Sequence, residues 1–200
     1  PFTHQETMSR FASAVSAVTY EWENVPAQLC EQLETRRPVR PSGAVLRSIQ
    51  NRLVQKSYLA GHGFPVPRFA PVADLNELSD VIRAVGCPAV CKTAMAGYDG
   101  KGQFRLKSAS DLDAAWEALG GVPLILEAWV AFEREVSVIA VRSRSGELRT
   151  YPLVQNWHAE GILSATLAPA LDADELNAAA QRYAGAIGEP LYVLIELWRN

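Results

Sequence analysis

The sequence predicts a mixed α+β (α/β) protein, and three features predict it. Amphipathic stretches with helical spacing alternate with short apolar runs of strand length. The connections between them are short and marked by glycine and proline. The hydrophobic fraction is 48% and the charged fraction 20%, so a 200-residue chain can bury a substantial core.

Along the chain, residues 15–20 read as a strand ending at Glu21-Trp22-Glu23-Asn24. Pro26 stands early in a helix running to about Glu34, the end that favours proline. Arg37-Pro38-Val39-Arg40-Pro41 is a proline-broken connector. Ser42 caps a helix over 43–61, in which Leu46, Ile49, Leu53, Val54 and Leu59 share a helical spacing. Gly61, Gly63, Pro65 and Pro67 end it. A strand over 68–73 follows, then a helix capped by Asp74 or Asn76 and running to about Val85. Strands are expected to Lys92 and over 103–106, with a helix opened by Ser110 and Asp111 after them. Leu124-Ile125-Leu126-Glu127 reads as a buried strand ending in a carboxylate. Beyond residue 131 the texture is β-rich. A strand over 135–142 turns at Ser145-Gly146 and returns over 148–154. Asp172 caps a helix to 186, and 191–197 is a final strand carrying Glu196.

The densest chemistry lies between Lys92 and Gln103. Lys92-Thr93 closes an apolar run, and Gly97-Tyr98-Asp99-Gly100-Lys101-Gly102-Gln103 follows four residues later. Glycine lets backbone N–H groups approach an anion closely. Two lysines flanking such a loop suit a triphosphate. A plain β-hairpin turning at Asp99-Gly100 is the competing reading, and a hairpin can also fold over a nucleotide. The loop matches neither the Walker A pattern nor G-x-G-x-x-G.

Net charge is −3, which supplies no global basic field for nucleic acid or an anionic membrane. No apolar run reaches the roughly 18–20 residues of a membrane span, and no signal peptide is visible. Cys30, Cys87 and Cys91 read as buried structural thiols in a reducing cytoplasm.

Several phrases together resemble the ATP-grasp superfamily, and within it the N5-carboxyaminoimidazole ribonucleotide synthetases of purine biosynthesis. They are Val18-Thr19-Tyr20-Glu21-Trp22-Glu23-Asn24-Val25-Pro26, Gln50-Asn51-Arg52 with Lys56, Lys92-Thr93, the 97–103 loop, and Glu127 with Phe132 and Glu135. Tyr151-Pro152-Leu153-Val154-Gln155-Asn156, His158 and Gly161-Ile162-Leu163 continue the match. The loop string is the most specific element. The resemblance implies an ATP-grasp fold preceded by the tail of a Rossmann-like domain. Residues 1–40 are that tail and 41–67 a linker and helix. Residues 68–130 are the small ATP-grasp subdomain with its glycine loop, and 131–200 the start of the large one. It also implies that both ends of the family pattern are missing, so that this chain is expected to turn over poorly or not at all. Another ATP-grasp ligase, such as a glycinamide ribonucleotide transformylase or a biotin carboxylase, and an inactive nucleotide-binding fragment are the alternatives.

The resemblance further implies roles. ATP and Mg²⁺ are the cofactors. ATP, bicarbonate and 5-aminoimidazole ribonucleotide are the small-molecule partners, and the full-length parent is a homodimer in the cytoplasm. Lys92 and Lys101 are the catalytic cations. Arg52, Lys92, Gly97, Tyr98, Asp99, Gly100, Lys101, Gly102 and Gln103 hold the nucleotide phosphates. Glu127, Ala128, Trp129 and Val130 receive the adenine, with backbone groups reading its edge. Glu135 takes the ribose hydroxyls, and His158 belongs to the same site. Tyr98, Asp99 and Lys101 contact the ribonucleotide substrate, with Glu21 a further candidate and Glu23 its rival. Glu196 is a magnesium ligand, in a run shorter than the family's usual one. Without the resemblance, Lys92, Arg52, Glu21 and Glu23 read as solvated surface charges, and Glu135 as a partner of Arg134 or Arg142.

Overall fold

The computed structural model describes residues 4–97, 101–143, 145–159 and 161–187, and strand 192–199 through its backbone. Two antiparallel sheets form, each with helices on one face, as the mixed pattern predicts.

A helix that the sequence reading omits, α1 (Gln5–Ala14), buries Ala12 against Cys30, Leu33, Val39 and Leu46. The strand expected over 15–20 does not form. Val18 instead makes an isolated parallel bridge to Val39. Pro38 and Pro41 flank that partner and have no N–H with which to extend a ladder. Helix α2 (Ala27–Glu34) then starts directly after Pro26.

The single helix expected over 43–61 is two, α3 (Gly43–Gln50) and α4 (Arg52–Gly61). Asn51 breaks it, with φ −116° and ψ 112°. Its side-chain oxygen accepts from the N–H groups of Leu53 and Val54, and Arg52 N–H donates to Ala94 O at 2.9 Å. Asparagine competes with the helix for its own backbone, so tertiary pairing with the 94–95 segment decides the break. Asn51→Ala is expected to cost about 1 kcal/mol in a urea melt through the lost cap.

The first sheet runs β1 (Phe69–Val72), β4 (Leu124–Ala128), β2 (Ala89–Thr93), β3 (Gln103–Leu106) in spatial order. Between β1 and β2 lies α5 (Leu75–Val85), capped by Asp74 as expected. Before β4 lies α6 (Leu112–Leu119), entered through a 3-10 turn whose capping box pairs Ser108 with Asp111. Ser108, rather than Ser110, is therefore the cap. Alternate strand residues Val72, Ala89, Cys91, Leu106, Leu124 and Leu126 meet Leu78, Ile82, Val85 and Ala115 of these helices in a fully apolar core. Burial pushes the Cys91 thiol up to about 11. Cys30 is also buried, but Cys87 is exposed, because it lies in the bend before β2 and outside the strand pattern.

The second sheet is built on β5 (Arg134–Arg142). β9 (Tyr192–Arg199) pairs along Arg134–Val141, so the other edge holds both β6 (Leu148–Thr150) and β7 (Val154–Ala159) in line. The return strand expected over 148–154 is thus interrupted, where Pro152 has no N–H to offer. β8 (Ile162–Leu167), not separated by the sequence reading, pairs with β7 across a bulge at Trp157/His158. Helix α7 (Asp174–Ala186) covers Val136, Val138 and Ala140 with Ala180 and Ala184. Asp172 does not cap it. That residue sits in the left-handed region at φ 47°, and Ala173 precedes the first turn. Among the described residues no helix is long and apolar enough to cross a membrane.

Candidate functional site

Strand alternation sends one half of the first sheet into its core and leaves the other face to polar chemistry. Val90 lies opposite Glu127 on one side and Arg105 on the other, and Lys92 lies opposite Ile125 and Gln103. Lys92 and Glu127 are therefore diagonal neighbours on the non-core face. Their side chains meet, Lys92 Nζ to Glu127 Oε2, at 2.9 Å.

A second lysine reaches the same oxygen. Lys56 Nζ lies 3.5 Å from Glu127 Oε2, with side-chain exposures of 14% and 4%. Burial lowers the Lys56 pKa, Glu127 opposes that shift, and the charges of Lys92 and Arg52 add to it. The other carboxylate oxygen, Glu127 Oε1, is buried without a hydrogen-bond partner among the described residues. Two lysines thus share one carboxylate in a half-buried place, and the charge of Arg52 is also felt at Lys56, which leaves a positive excess suited to an anion. The sequence reading gives Lys56 no role. Its signal was the i,i+4 spacing from Arg52, which sets both side chains on one face of α4.

The glycine loop begins at the end of β2. Arg52 Nη2 donates to Gly97 O at 3.4 Å, and Thr93 N–H donates to Gly102 O at 2.9 Å. Gly102 has φ 72°, and a Cβ there would lie 2.9 Å from Thr93 Oγ1. A Cβ at Gly97 would lie 3.1 Å from Lys101 O and 3.2 Å from Arg52 Nη2. The glycines therefore let the two ends of the loop close on Thr93 and Arg52. Gly102→Ala is expected to cost about 1–3 kcal/mol, read as a lowered urea midpoint. Lys101 and Gln103 are exposed at the loop's far end. Tyr98, Asp99 and Gly100 lie outside the described residues.

Beyond Glu127 the chain leaves the sheet. Ala128 N–H donates to Arg68 O at 2.8 Å and Trp129 N–H to Pro88 O at 3.0 Å. Both of these donors are committed, which narrows the expectation that the segment's backbone reads a base. Arg105 of β3 stacks its guanidinium 3.8 Å from the centre of the Trp129 ring. This stack was not anticipated from sequence, where nothing links positions on non-adjacent strands.

On the second sheet, Glu135 Oε2 lies 3.4 Å from His158 Nδ1. The two arginines named as its alternative partners also make backbone contacts of their own. Arg134 donates to Leu171 O, and Arg142 donates to the carbonyls of Ala184, Gly185 and Ile187 at the end of α7. Beside Glu135 runs a polar chain absent from the sequence reading. Thr166 Oγ1 donates to Asn156 Oδ1 at 3.0 Å, and Asn156 Nδ2 donates to Ser137 Oγ at 2.8 Å. Glu196 occupies the register position opposite Ser137 on β9. Among the described residues no three His, Cys, Asp or Glu side chains come together to hold a metal ion.

Glu21 and Glu23 are exposed on the segment before α2. Gln50 Nε2 donates to the carbonyls of Glu23 and Val25, both at 2.6 Å, which ties that segment to the end of α3 next to Asn51. The bond at Glu23 is to its backbone and leaves open which of the two carboxylates meets a substrate.

Comparison with known proteins places the chain in a family. The ATP-grasp domain family model matches residues 57–194, and the ribonucleotide synthetase preATP-grasp domain model matches residues 1–50. The chain is 43% identical over 183 residues to the N5-carboxyaminoimidazole ribonucleotide synthase of Pseudomonas aeruginosa, covering 92% of this chain and 50% of that one. The crystal structure of N5-carboxyaminoimidazole ribonucleotide synthetase from Thermus thermophilus superposes with a TM-score of 0.90 at 39% identity, over 99% of this chain and 55% of that one. The Aspergillus clavatus N5-carboxyaminoimidazole synthase, in complex with ADP and 5-aminoimidazole ribonucleotide, gives 0.87 at 28% identity, over 98% and 53%. The chain spans about half the length of the relatives it matches. With a family model that takes in Lys92, the glycine loop, Glu127 and the second sheet to residue 194, the chain belongs to the ATP-grasp family.

Proposed function

We propose that this chain carries the nucleotide site of an ATP- and bicarbonate-dependent carbon–nitrogen ligase. In this reading it serves the carboxylation of 5-aminoimidazole ribonucleotide to its N5-carboxyamino derivative. The observation that carries the reading is the convergence of Lys56 and Lys92 on Glu127 beside the glycine loop, whose Gly97 carbonyl is held by Arg52. The similarity to synthases of that name, one of them solved with ADP and this ribonucleotide, supports the choice of substrate.

Lys92, Arg52 and Lys101 hold the phosphates, and the loop over 97–103 closes on them with backbone N–H groups. Phosphoryl transfer asks for such positioning and charge stabilisation rather than a covalent nucleophile. The base enters beside 127–130. With the Ala128 and Trp129 donors committed, its edge is read at Val130 N–H and by the free carboxylate oxygen of Glu127. Glu135 accepts from the ribose hydroxyls, and His158 orients it. A bicarbonate oxygen attacks the γ-phosphorus and the bond to the β-bridging oxygen breaks. ADP leaves and carboxyphosphate remains. Carboxyphosphate passes its carboxyl carbon to the exocyclic amine as inorganic phosphate departs and the amine loses a proton. Tyr98, Asp99, Lys101 and Glu21 are the ribonucleotide contacts in this reading. Magnesium, when bound, neutralises phosphate charge, and Glu196 is its proposed ligand on this chain. The residue ranges 1–40, 41–67, 68–130 and 131–200 are the proposed units, and the whole protein is read as a cytoplasmic homodimer.

ADP release from ATP and bicarbonate tests the assignment. In the full-length parent it is expected to rise when 5-aminoimidazole ribonucleotide is added, and to stay level with glycinamide ribonucleotide or biotin. Stimulation by either of those acceptors would overturn the choice of substrate.

A further inference from the structure

We infer that Lys56 is a positioning residue: it holds Glu127 as a buried counter-charge, so that Lys92 can leave that carboxylate for a phosphate when nucleotide enters. The inference rests on the nucleotide reading above.

The geometry begins with α4. The Asn51–Met95 bridge and the bond from Arg52 N–H to Ala94 O pin its first turn against the end of β2. One turn later Lys56 faces the sheet, and its Nζ approaches the oxygen that Lys92 already holds. The two lysines differ in access. Lys56 is 14% exposed and Lys92 is 24% exposed. Lys92 also stands next to Thr93, on which the glycine loop closes, so it is the lysine placed to meet a phosphate.

Charge decides the consequence. A carboxylate buried as deeply as Glu127 cannot be left without a cation at small cost. If Lys92 were its only partner, each nucleotide would have to pull that lysine from an otherwise bare buried anion. Lys56 removes the conflict, because Glu127 stays paired after Lys92 moves. The charged groups facing Lys56 are Glu127, Lys92 and Arg52, so Glu127 is the one anion among them. Loss of Lys56 should therefore tighten the Lys92–Glu127 pair and weaken the nucleotide.

The test is calorimetric titration of ATP into the wild-type chain, Lys56→Met, Lys56→Arg, Glu127→Gln and the Lys56→Met/Glu127→Gln double variant, with circular dichroism confirming the fold of each. Lys56→Met is expected to weaken binding by about ten- to a hundredfold, and Lys56→Arg to recover most of the loss. In the Glu127→Gln background the same Lys56→Met change is expected to cost less than about threefold, since no buried charge then needs a partner. Should Lys56→Met not fold, the double variant against Glu127→Gln decides by itself. A loss of full size in that background would make Lys56 a direct phosphate ligand and overturn the inference. Unchanged binding by folded Lys56→Met would overturn it as well. A folded wild-type chain that binds no ATP would remove the nucleotide reading and the inference with it, an outcome distinct from the other two.

Discussion

Lys92→Ala is expected to lose nucleotide binding while keeping the fold. In the proposed complex Lys92 meets the phosphates as a half-buried cation. Truncating one member of such a charge pair typically costs about 2–5 kcal/mol, a loss of roughly thirtyfold or more in affinity. The fold survives because Glu127 retains Lys56 at 3.5 Å. Titration with Mg-ATP, wild type beside variant, reads the first effect, and a urea melt reads the second. A variant that binds ATP as well as the wild type would show that Lys92 is a structural lysine paired to Glu127, and the phosphate site would have to lie elsewhere. Binding that vanishes together with the folding transition would show that the pair serves the fold first.

Glu127→Ala should produce the largest change in stability. It leaves two cations facing each other on a half-buried surface, and breaking a buried pair by removing one partner costs about 3–5 kcal/mol. The pH dependence has a definite sign. Burial already lowers the Lys56 pKa in the folded chain, and Glu127 and its negative charge oppose that shift. Without Glu127 the folded-state pKa falls further, while the unfolded value stays near the ordinary lysine value of about 10.4. The unfolded chain then binds more protons than the folded one between the two values, so stability rises with pH across that window. The Glu127→Ala deficit is therefore expected to be full at neutral pH and to shrink as pH climbs toward the lysine range. Urea melts at several pH values check it. A deficit that stays constant, or grows, with rising pH would mean that packing, not charge, is what Glu127 contributes. Glu127→Gln separates the two causes, because it keeps the volume and removes the charge.

Much of this site is legible along the chain. Lys92 at a strand end, the glycines over 97–103 and the carboxylate closing 124–127 are local patterns, and local backbone chemistry decides them. Strand residues on both sides of the glycine loop fall where the alternation of apolar residues puts them. Asp74 caps α5 because its own side chain satisfies the first N–H groups, a contact within four residues. Two misreadings arise where a distant segment competes, and a third where the local chain path into a helix does. Asn51 could have continued a helix, but pairing with Met95 made it a break. Val18 could have begun a strand, but the prolines beside Val39 stopped the ladder at one bridge. Asp172 could have capped α7, but the chain enters that helix from the left-handed region.

By itself, the sequence determined most of the strands and helices and where along them the charged and glycine-rich segments fall, because those depend on residue type and on periods of two and 3.6. Tertiary structure alone decided which charges share a partner. Lys56 on α4, Lys92 on β2 and Glu127 on β4 meet only when the helix is pinned to the sheet and the strands are set in register. The same is true of the Arg105–Trp129 stack and of the Thr166–Asn156–Ser137 chain. Charge pairing depends on distance and burial, and a linear sequence specifies neither until the sheets have formed.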